Sequence, residues 1–346
     1  MHMVKFMFSF LLCIWMPLVL LNLHTLAGAG GDTRDSGRDN SNKSPYSLDV
    51  AVDHAREEPG VPKIHHVVYA SHRGSDDRFC RTVESAARHN ITLNILGWGV
   101  AWGGLYQKLE ATLQFCESQP PNDIVLFTDA FDVMFLKTSE EILEDYIAME
   151  TDILFGAECG CWPHVTRDGG RECLERYPAS PTPYRYLNSG TWMARARAIV
   201  RVLTALKNRS GEGFAKSETN DQELVADMFL EGGWGINLDY NSKIFMSMHS
   251  THDPPLAVCE PMKDIRVDSG KITNTRTGTS PAVLHFNGGG KQHHLDIDAQ
   301  LWFRRGEFND KGSMQALRDF QFIGPDWKIL SMGGICGDYM DQLRRP

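Results

Sequence analysis

Short apolar runs alternate with amphipathic segments through the first half of the chain, and this alternation restricts the fold more than any other feature. The apolar runs predict buried strands at residues 64–70, 92–98, 123–129 and 152–157. The segments between them have the apolar spacing of helices and cover residues 75–90, 105–118 and 139–149. Such alternation is typical of a largely parallel sheet with helices on its faces, in which ligands bind beyond the carboxyl ends of the strands.

The second half of the chain has a less regular pattern. It contains the stretch YRYLNSGTWMARA at 184–196, and it predicts helices at 198–206 and 221–232 and short strands at 236–240, 243–248 and 282–286. With 42% hydrophobic and 23% charged residues, the composition is that of an ordinary globular protein. We therefore expect a single α/β domain, built as a Rossmann-like mixed sheet flanked by helices.

The N-terminal segment has the pattern of a secretory signal. Lys5 precedes an apolar run over residues 6–23, so residues 1–27 are expected to be either a signal peptide or a signal anchor. Residues 28–60 are rich in Gly, Ser, Asp, Asn and Arg, which predicts a disordered stalk. The expected location is the lumen of the secretory pathway, in the endoplasmic reticulum or Golgi. Contact with a membrane is expected only through the anchor, as in a single-pass type II protein.

The cysteines and the glycosylation motifs agree with that compartment. Apart from Cys13, the odd number of remaining cysteines predicts some disulfides and at least one free thiol, with the pairing left open. Zinc binding by the Cys-Gly-Cys stretch at 159–161 with Cys173 is the alternative, although a single intervening residue is too short for the usual chelate. Acceptor tripeptides for N-glycosylation begin at Asn42, Asn90 and Asn208.

The net charge of the chain restricts its partners. At a formal charge of −9, the protein has no general attraction for nucleic acid or for anionic lipid, and no local basic stripe compensates for this. Nucleic acid is therefore not an expected partner.

Two carboxylates follow the third predicted strand. In the stretch DIVLFTDAFDVMF, residues 123–135, Asp129 and Asp132 come just after the apolar residues 124–127. They should lie at the ligand edge of the sheet, where two uncompensated carboxylates repel each other and a cation between them is favourable. Oxygen ligands favour Mg²⁺ or Mn²⁺, which also bind substrate phosphates. The alternative is an ordinary pair of turn or helix-capping aspartates.

Six stretches of the chain resemble, in the same order, the glycosyltransferase domain of the multifunctional procollagen lysyl hydroxylases and their viral and protist relatives. These stretches are FTDAFDVMF, FGAECGCWP, YLNSGTWMA, NDQELVADMF, INLDYNSKIF and VLHFNGGGK. The resemblance runs from about residue 63 to residue 294 and implies a GT-A-type glycosyltransferase domain at residues 61–305. Residues 306–346 lie outside it, and we expect them to form a tail packed on the domain, with Cys336 as a covalent link.

The resemblance also implies a metal site and a donor site. Asp129, Asp132 and His285 would hold Mn²⁺ or Mg²⁺, whereas a buried core histidine is the alternative for His285 taken alone. The donor would be a UDP-sugar bound by Ser71, Lys108, Phe131, Gly288, Gly290 and Lys291. Glycines let the backbone approach a diphosphate closely, and Lys291 would neutralise it. Relatives carry Pro and Thr where this chain has Gly289 and Gly290, and commonly Tyr at the position of Phe131.

The candidates for contact with the sugar and the acceptor are implied in the same way. They are Glu158, Trp162, Asn188 and Asp221, with Gln222 beside the last. Carboxylate and amide groups hydrogen-bond sugar hydroxyls, and an indole face suits the apolar side of a sugar. A core position is the alternative for Trp162. Asn220 replaces an acidic residue of the relatives, which bears on the choice of acceptor.

The implied reaction is transfer of a hexose, glucose or galactose, from a UDP-sugar to a hydroxyl of a protein or glycan acceptor, with retention of configuration. Hydroxylysine in collagen-like sequences is one implied acceptor. The alternative is a secreted, non-catalytic sugar-binding or chaperone-like module on the same fold. The iron-dependent hydroxylase activity of the multifunctional relatives is not expected, because the His294-Leu295-Asp296 stretch is followed by no further histidine.

Overall fold

The structure is a computed structural model that describes residues 62–71, 76–167, 169–210, 214, 220–252 and 256–343. The predicted signal segment, the predicted stalk and the acceptor site at Asn42 lie outside these residues. Within them, no helix combines the length and the apolarity needed to cross a bilayer.

The described residues include thirteen β-strands, most of them short. They are β1 (Ile64–Tyr69), β2 (Leu93–Leu96), β3 (Ile124–Thr128), β4 (Val133–Phe135), β5 (Ile153–Glu158), β6 (Tyr186–Arg195), β7 (Ile236–Asp239), β8 (Phe245–Ser247), β9 (Ile265–Asp268), β10 (Lys271–Asn274), β11 (Val283–His285), β12 (Gln321–Ile323) and β13 (Ile329–Ser331). Eight of these form the main sheet, in the order β13-β12-β2-β1-β3-β6-β5-β7.

Strand direction in the main sheet is mixed. β12, β2, β1 and β3 are mutually parallel neighbours, and β5 is parallel to β7. β6 runs antiparallel to both β3 and β5, and β13 is antiparallel to β12. The prediction of a mixed α/β sheet flanked by helices is confirmed, and it is largely parallel in direction, because only β6 and β13 run against the other six strands.

Ten α-helices lie in the described part of the chain. They are α1 (Asp77–Arg88), α2 (Leu105–Glu117), α3 (Ser139–Ile147), α4 (Arg171–Glu175), α5 (Ala196–Arg209), α6 (Asp221–Glu231), α7 (Pro261–Asp264), α8 (His294–Asp298), α9 (Lys311–Asp319) and α10 (Met332–Leu343). Side-chain caps fix several starts: Asp76 caps α1, Thr138 and Glu141 form a capping box on α3, and Asn220 caps α6.

A small second sheet brings distant parts of the chain together. Its order is β4-β11-β8, with β11 antiparallel to β4 and parallel to β8. In this register His285 lies opposite Val133, the residue that follows Asp132. The sheet therefore places the imidazole of His285 beside the acidic loop between β3 and β4.

Three disulfides link the described residues. Cys80 is bonded to Cys336, Cys159 to Cys259, and Cys161 to Cys173, whereas Cys116 is buried and unbonded. The predictions of disulfides and of a free thiol are confirmed. The zinc alternative for residues 159–161 is wrong, because both cysteines of that stretch and Cys173 are oxidised in disulfides.

The C-terminal segment extends the main sheet. β12 pairs with β2 through Ile323 and Asn94, and β13 forms the outer edge. Cys336 in α10 is bonded to Cys80 in α1. The buried Glu84 carboxylate of α1 accepts hydrogen bonds from Arg304 and, at 2.6 Å, from the Tyr339 hydroxyl. This segment therefore packs against α1 and β2.

Candidate active site

The acidic loop lies at the carboxyl end of β3. Asp129 directly follows β3, and its backbone N–H donates to the carbonyl of Gly190 in β6 at 2.7 Å. The carbonyl of Asp132 accepts from the N–H of Phe286, just after β11, also at 2.7 Å. Backbone bonds to β6 and to the residue after β11 thus hold both ends of the loop in position.

His285 completes a cluster of three possible metal ligands. Its Nε2 atom lies 3.5 Å from Oδ2 of Asp129 and 3.6 Å from Oδ1 of Asp132. The imidazole is buried, and Nε2 has no hydrogen-bond partner among the described residues. On the other side of the ring, Nδ1 lies 3.0 Å from Oδ1 of Asn188, a carbonyl oxygen that can accept its proton. In the neutral ring, that bond would leave the Nε2 lone pair directed toward the carboxylates.

The electrostatics of the cluster favour a cation. Burial alone would lower the pKa of His285, but the neighbouring Asp132 and Asp129 outweigh burial and raise it to about 9. Mn²⁺ and Mg²⁺ prefer the oxygen ligands that these carboxylates supply, and one imidazole nitrogen completes a donor set that such a cation accepts. The residues present therefore fit a divalent cation.

Gly190 makes the close approach in this cluster possible. A Cβ atom at that position would lie 2.3 Å from Cε1 of His285 and 2.6 Å from Oδ2 of Asp129. β6 also departs here from regular pairing with β5, since the register shifts between Phe155 and Gly156. The irregular strand therefore leaves room for the imidazole and the carboxylate.

Lys108 connects the acidic loop to α6. Its ammonium lies 3.0 Å from Oδ1 of Asp129 and 2.6 Å from Oδ2 of Asp221, and the Ser189 hydroxyl donates to the same Asp221 oxygen at 3.0 Å. Burial would lower the pKa of Lys108, but the two carboxylates outweigh it and raise that pKa. Burial likewise opposes ionisation of Asp129, whereas Lys108 and His285 bring its pKa well below the ordinary range. The lysine is thus held charged beside the proposed metal ligands.

Glu158, the last residue of β5, is the centre of an amide network. Its carboxylate accepts from Asn188 at 2.9 Å, from Gln222 at 2.9 Å and from Asn287 at 2.7 Å. Burial raises the pKa of Glu158, and these amide bonds only partly counteract it. The network joins β5, β6, α6 and the loop after β11, and so it holds together the elements that surround the site.

A cavity of about 520 Å³ opens over these groups. Most predicted site residues line it: Lys108, Asp129, Asp132, Glu158, Trp162, Asn188, Asp221, Gln222, His285, Gly288 and Lys291. Trp162 is 54% exposed, so it is not a core residue. The ammonium of Lys291 lies 3.3 Å from Oδ2 of Asp132. The volume is that of an ordinary small-molecule site.

Three residues predicted to bind the donor do not line this cavity. Ser71 follows β1 outside the lining, and the Phe131 ring packs against Phe79 at a centroid distance of 5.8 Å. Gly290 is buried against Met248, where an added Cβ would lie 2.8 Å from the Met248 carbonyl. The conformation of the glycine run therefore serves packing at Gly290 and presents only Gly288 to the cavity.

Sequence reasoning missed several contributors to the site. Ser189, Gly190, His249 and Asn287 all line the cavity. His249 accepts from the N–H of Gly289 at its Nδ1 atom, at 3.2 Å, and so supports the glycine run. Gly190 and Asn287 belong to the motifs YLNSGTWMA and VLHFNGGGK, so that a signal for them was present. His249 follows a strand of only three residues and had no such signal.

A second group of possible ligands is already neutralised by an arginine. His164, Glu172 and Asp227 lie close together, with His164 Nε2 2.9 Å from Asp227. Arg167 forms ion pairs with both Glu172 and Asp227 at 3.6 Å. Since a guanidinium supplies the positive charge, this group has no need of a metal ion.

The fold and the site together define an α/β protein with an acidic cleft at the edge of a mixed sheet. The family model described as the PLOD GT domain matches residues 62–299, and the chain belongs to this family of glycosyltransferase domains.

The similarity to individual relatives covers only part of this chain and a smaller part of each relative. The chain is similar to the uncharacterised protein R699 of Acanthamoeba polyphaga mimivirus, with 29% identity over 60% of this chain and 43% of that protein. It is also similar to the multifunctional procollagen lysine hydroxylase and glycosyltransferase LH3 of Rattus norvegicus, with 27% identity over 60% of this chain and 27% of that protein. The chain thus spans less than half the length of these relatives.

Among solved structures, the galactosyltransferase LgtC in complex with donor and acceptor sugar analogues superposes with a TM-score of 0.37 and 16% identity, covering 70% of this chain and 99% of that one.

Proposed function

We propose that the protein is a UDP-sugar-dependent hexosyltransferase that moves glucose or galactose to a hydroxyl of a protein or glycan acceptor, with Mn²⁺ or Mg²⁺ as cofactor. The observation that carries this proposal is the convergence of Asp129, Asp132 and the unpartnered Nε2 atom of His285 in one cavity. Membership in a family of glycosyltransferase domains supports it.

The cavity also holds the charges that a departing diphosphate requires. A bound divalent cation would supply Lewis-acid stabilisation of the negative charge that develops on the leaving group. Lys291, whose side chain is 59% exposed, lies beside Asp132 on the open side and can reach a phosphate from there. Gly288 has a φ of +51°, a left-handed conformation that turns the backbone three residues before Lys291. These residues would bind and orient the diphosphate.

The opposite wall suits the transferred sugar. Asp221 and the amides of Asn188 and Gln222 face the cavity, and Trp162 contributes an exposed indole. Hydroxyls would hydrogen-bond the carboxylate and amides, while the indole would exclude water from one face of the sugar. The carboxylate of Asp221 would stabilise the positive character that develops at the anomeric carbon.

The acceptor and the compartment follow from the relatives. The rat relative is described as a procollagen lysine hydroxylase and glycosyltransferase, so we propose hydroxylysine in a collagen-like sequence, or a sugar attached to it, as the first acceptor to test. The three disulfides support a location in the secretory lumen, because such bonds persist in oxidising compartments.

Release of UDP provides the direct test. Purified protein is incubated with UDP-glucose, UDP-galactose and UDP-N-acetylglucosamine, each with Mn²⁺, Mg²⁺ or EDTA, and free UDP is measured. We expect release with one of the hexose donors, its loss in EDTA, and a reduction of at least about a hundredfold in Asp132→Asn, as is usual when a charge-stabilising group is removed. Asp268→Asn, on the exposed strand β9, is the matched control. Full turnover in Asp132→Asn would contradict the proposed site, and no release from any donor would favour the sugar-binding module instead.

A further inference from the structure

A second cavity lies apart from the catalytic one and shares no lining residue with it. Its volume is about 430 Å³, and it runs between α2 and the turn that follows β12. Asn94 of β2 and Gln114 of α2 come from the part of the chain that matches the family model, whereas Asp326 and Trp327 come from the segment beyond that match. We call it the Trp327 groove.

Three side chains of the Trp327 groove have polar atoms without a hydrogen-bond partner among the described residues. Asn94 donates its amide to the carbonyl of His66 at 3.0 Å, which leaves its Oδ1 atom for a ligand. Gln114 and Asp326 are exposed, and neither side chain has a hydrogen bond or an ion pair within the described residues. Carbonyl, amide and carboxylate groups from β2, α2 and the turn after β12 are therefore available to a ligand.

Trp327 is the most exposed large apolar side chain among the described residues, at 67%. Its indole has no aromatic partner within those residues. Asp326 and Trp327 also have left-handed backbone conformations, with φ of 55° and 60°. Such a conformation is unfavourable for a bulky residue, so the turn must be held by its surroundings, and consecutive residues of this kind are often found at ligand sites.

The charge of the groove restricts its ligand. None of its described lining residues is Lys, Arg or His, and Asp326 is its one carboxylate. A phosphate, a nucleotide or a sulfated sugar would find no cation there. An exposed indole beside uncharged amides and a single acid is the chemistry that recognises a neutral saccharide, whose apolar face stacks on the ring and whose hydroxyls bond to the planar groups.

We propose that the Trp327 groove is a binding site for a neutral oligosaccharide, separate from the catalytic cavity. The proposal does not depend on transferase activity. A glycan held there would keep a glycoprotein bound to this face while another part of it reaches the cavity over Asp132.

The competing occupant is a second copy of the chain. β13 forms an edge of the main sheet, and Ile329 within it is 56% exposed. A partner strand could pair there and cover Trp327, so the oligomeric state has to be measured alongside binding.

The experiment uses the full chain and four neutral probes: lactose, maltotriose, N,N′-diacetylchitobiose and mannotriose. Binding is measured by saturation-transfer NMR and by titration of tryptophan fluorescence, with a heparin tetrasaccharide as the charged control. We expect millimolar binding of at least one neutral probe and no binding of heparin. Trp327→Ala should weaken that binding about tenfold, with a smaller loss in Trp327→Phe, because the phenyl ring preserves part of the stacking surface.

Two further measurements locate the bound saccharide. Asp132→Asn, and wild-type protein with UDP and Mn²⁺, should bind the probe as well as the untreated protein, since the catalytic cavity is not involved. The proposal is overturned if no neutral probe binds, if Trp327→Ala binds normally, or if UDP displaces the probe. It is also overturned if ultracentrifugation shows a dimer that Trp327→Ala converts to a monomer. Failure of UDP release in the assay of function leaves these outcomes unaffected.

Discussion

At the scale of single residues, sequence patterns predict some of the groups that form the site and miss others. Asp129 and Asp132 could be predicted from their place after an apolar strand, and His285 from the motif around it. The close approach of His285 and Asp129, however, requires a glycine at position 190, because a Cβ atom there would overlap with both side chains. The sequence does not show this requirement, since it does not show that the two residues meet at Gly190. Phe131 does not line the cavity and packs against Phe79, a position that the motif could not indicate because it does not specify which way a ring points.

Gly190→Ala tests the crowding directly. The new methyl group would overlap with His285 and Asp129, so these side chains must move apart. We expect Mn²⁺ affinity to fall at least about tenfold and the free energy of unfolding to fall by about 2 kcal/mol. Calorimetric titration with Mn²⁺ and urea denaturation measure the two effects. Gly306→Ala is the control, because a Cβ at Gly306 meets nothing within 4 Å; unchanged Mn²⁺ affinity in the Gly190 variant would contradict the site.

Protonation of His285 gives the metal site a defined dependence on pH. Burial would lower the pKa of His285, but Asp132 and Asp129 raise it to about 9, so the ring carries a proton at neutral pH when no metal is bound. A cation must displace that proton from Nε2. Mn²⁺ affinity should therefore rise by about tenfold per pH unit between pH 6 and pH 8.

The raised pKa of His285 makes the stability of the metal-free protein change with pH in the opposite direction to the metal affinity. Because the folded-state pKa of His285 is raised, its contribution to stability is complete below about pH 6.5, its unfolded value, and is lost as the pH rises toward 9. Equilibrium urea unfolding in EDTA from pH 6 to pH 9 measures this loss, and electron paramagnetic resonance of free Mn²⁺ measures the affinity. In His285→Gln both slopes should be reduced, and an affinity independent of pH in the native protein would exclude His285 as a ligand.

At the scale of elements, the pattern of apolar residues in the sequence predicted the long buried strands and the main helices of the first half well. β1, β3 and β5 are almost wholly buried on both faces, so their apolar runs were easily recognised. The direction of β6 could not be predicted in this way, because a fully buried strand has the same pattern whether it is parallel or antiparallel to its neighbours. β4 and β12 have three residues each, too few to display a period.

One buried carboxylate of α1 is hydrogen-bonded to the C-terminal segment. Glu84 is fully buried and accepts hydrogen bonds from Arg304 at 2.9 and 3.1 Å and from Tyr339. Glu84→Gln removes the charge, although Asp298 still pairs with Arg304 at 2.7 Å. We expect a loss of about 2 kcal/mol in the free energy of unfolding, as for a charged hydrogen bond. Urea denaturation measures the loss, with the exposed Glu117→Gln as control; equal stability of the two variants would contradict a structural role for Glu84.

At the scale of the whole molecule, the C-terminal segment is part of the fold and not an appendage to it. Residues 321–323 extend the main sheet, and α9 and α10 contribute Met314, Leu317 and Met340 to the core that contains β2 and α1. No periodicity in the sequence could show this, because the pairing of β12 with β2 joins residues more than two hundred positions apart. Cys336 was the one signal of such a contact.

The disulfide between Cys80 and Cys336 closes a loop with a sequence separation of 256 residues, so it constrains the unfolded chain strongly. Replacing both cysteines by alanine should reduce the free energy of unfolding by about 2–4 kcal/mol. UDP release under native conditions should remain, because neither residue lines the catalytic cavity. Cys116→Ala controls for the loss of a buried sulfur, since Cys116 is buried and forms no disulfide. A double variant as stable as the native protein would show that β12 and the Glu84 contacts hold the C-terminal segment without the covalent link.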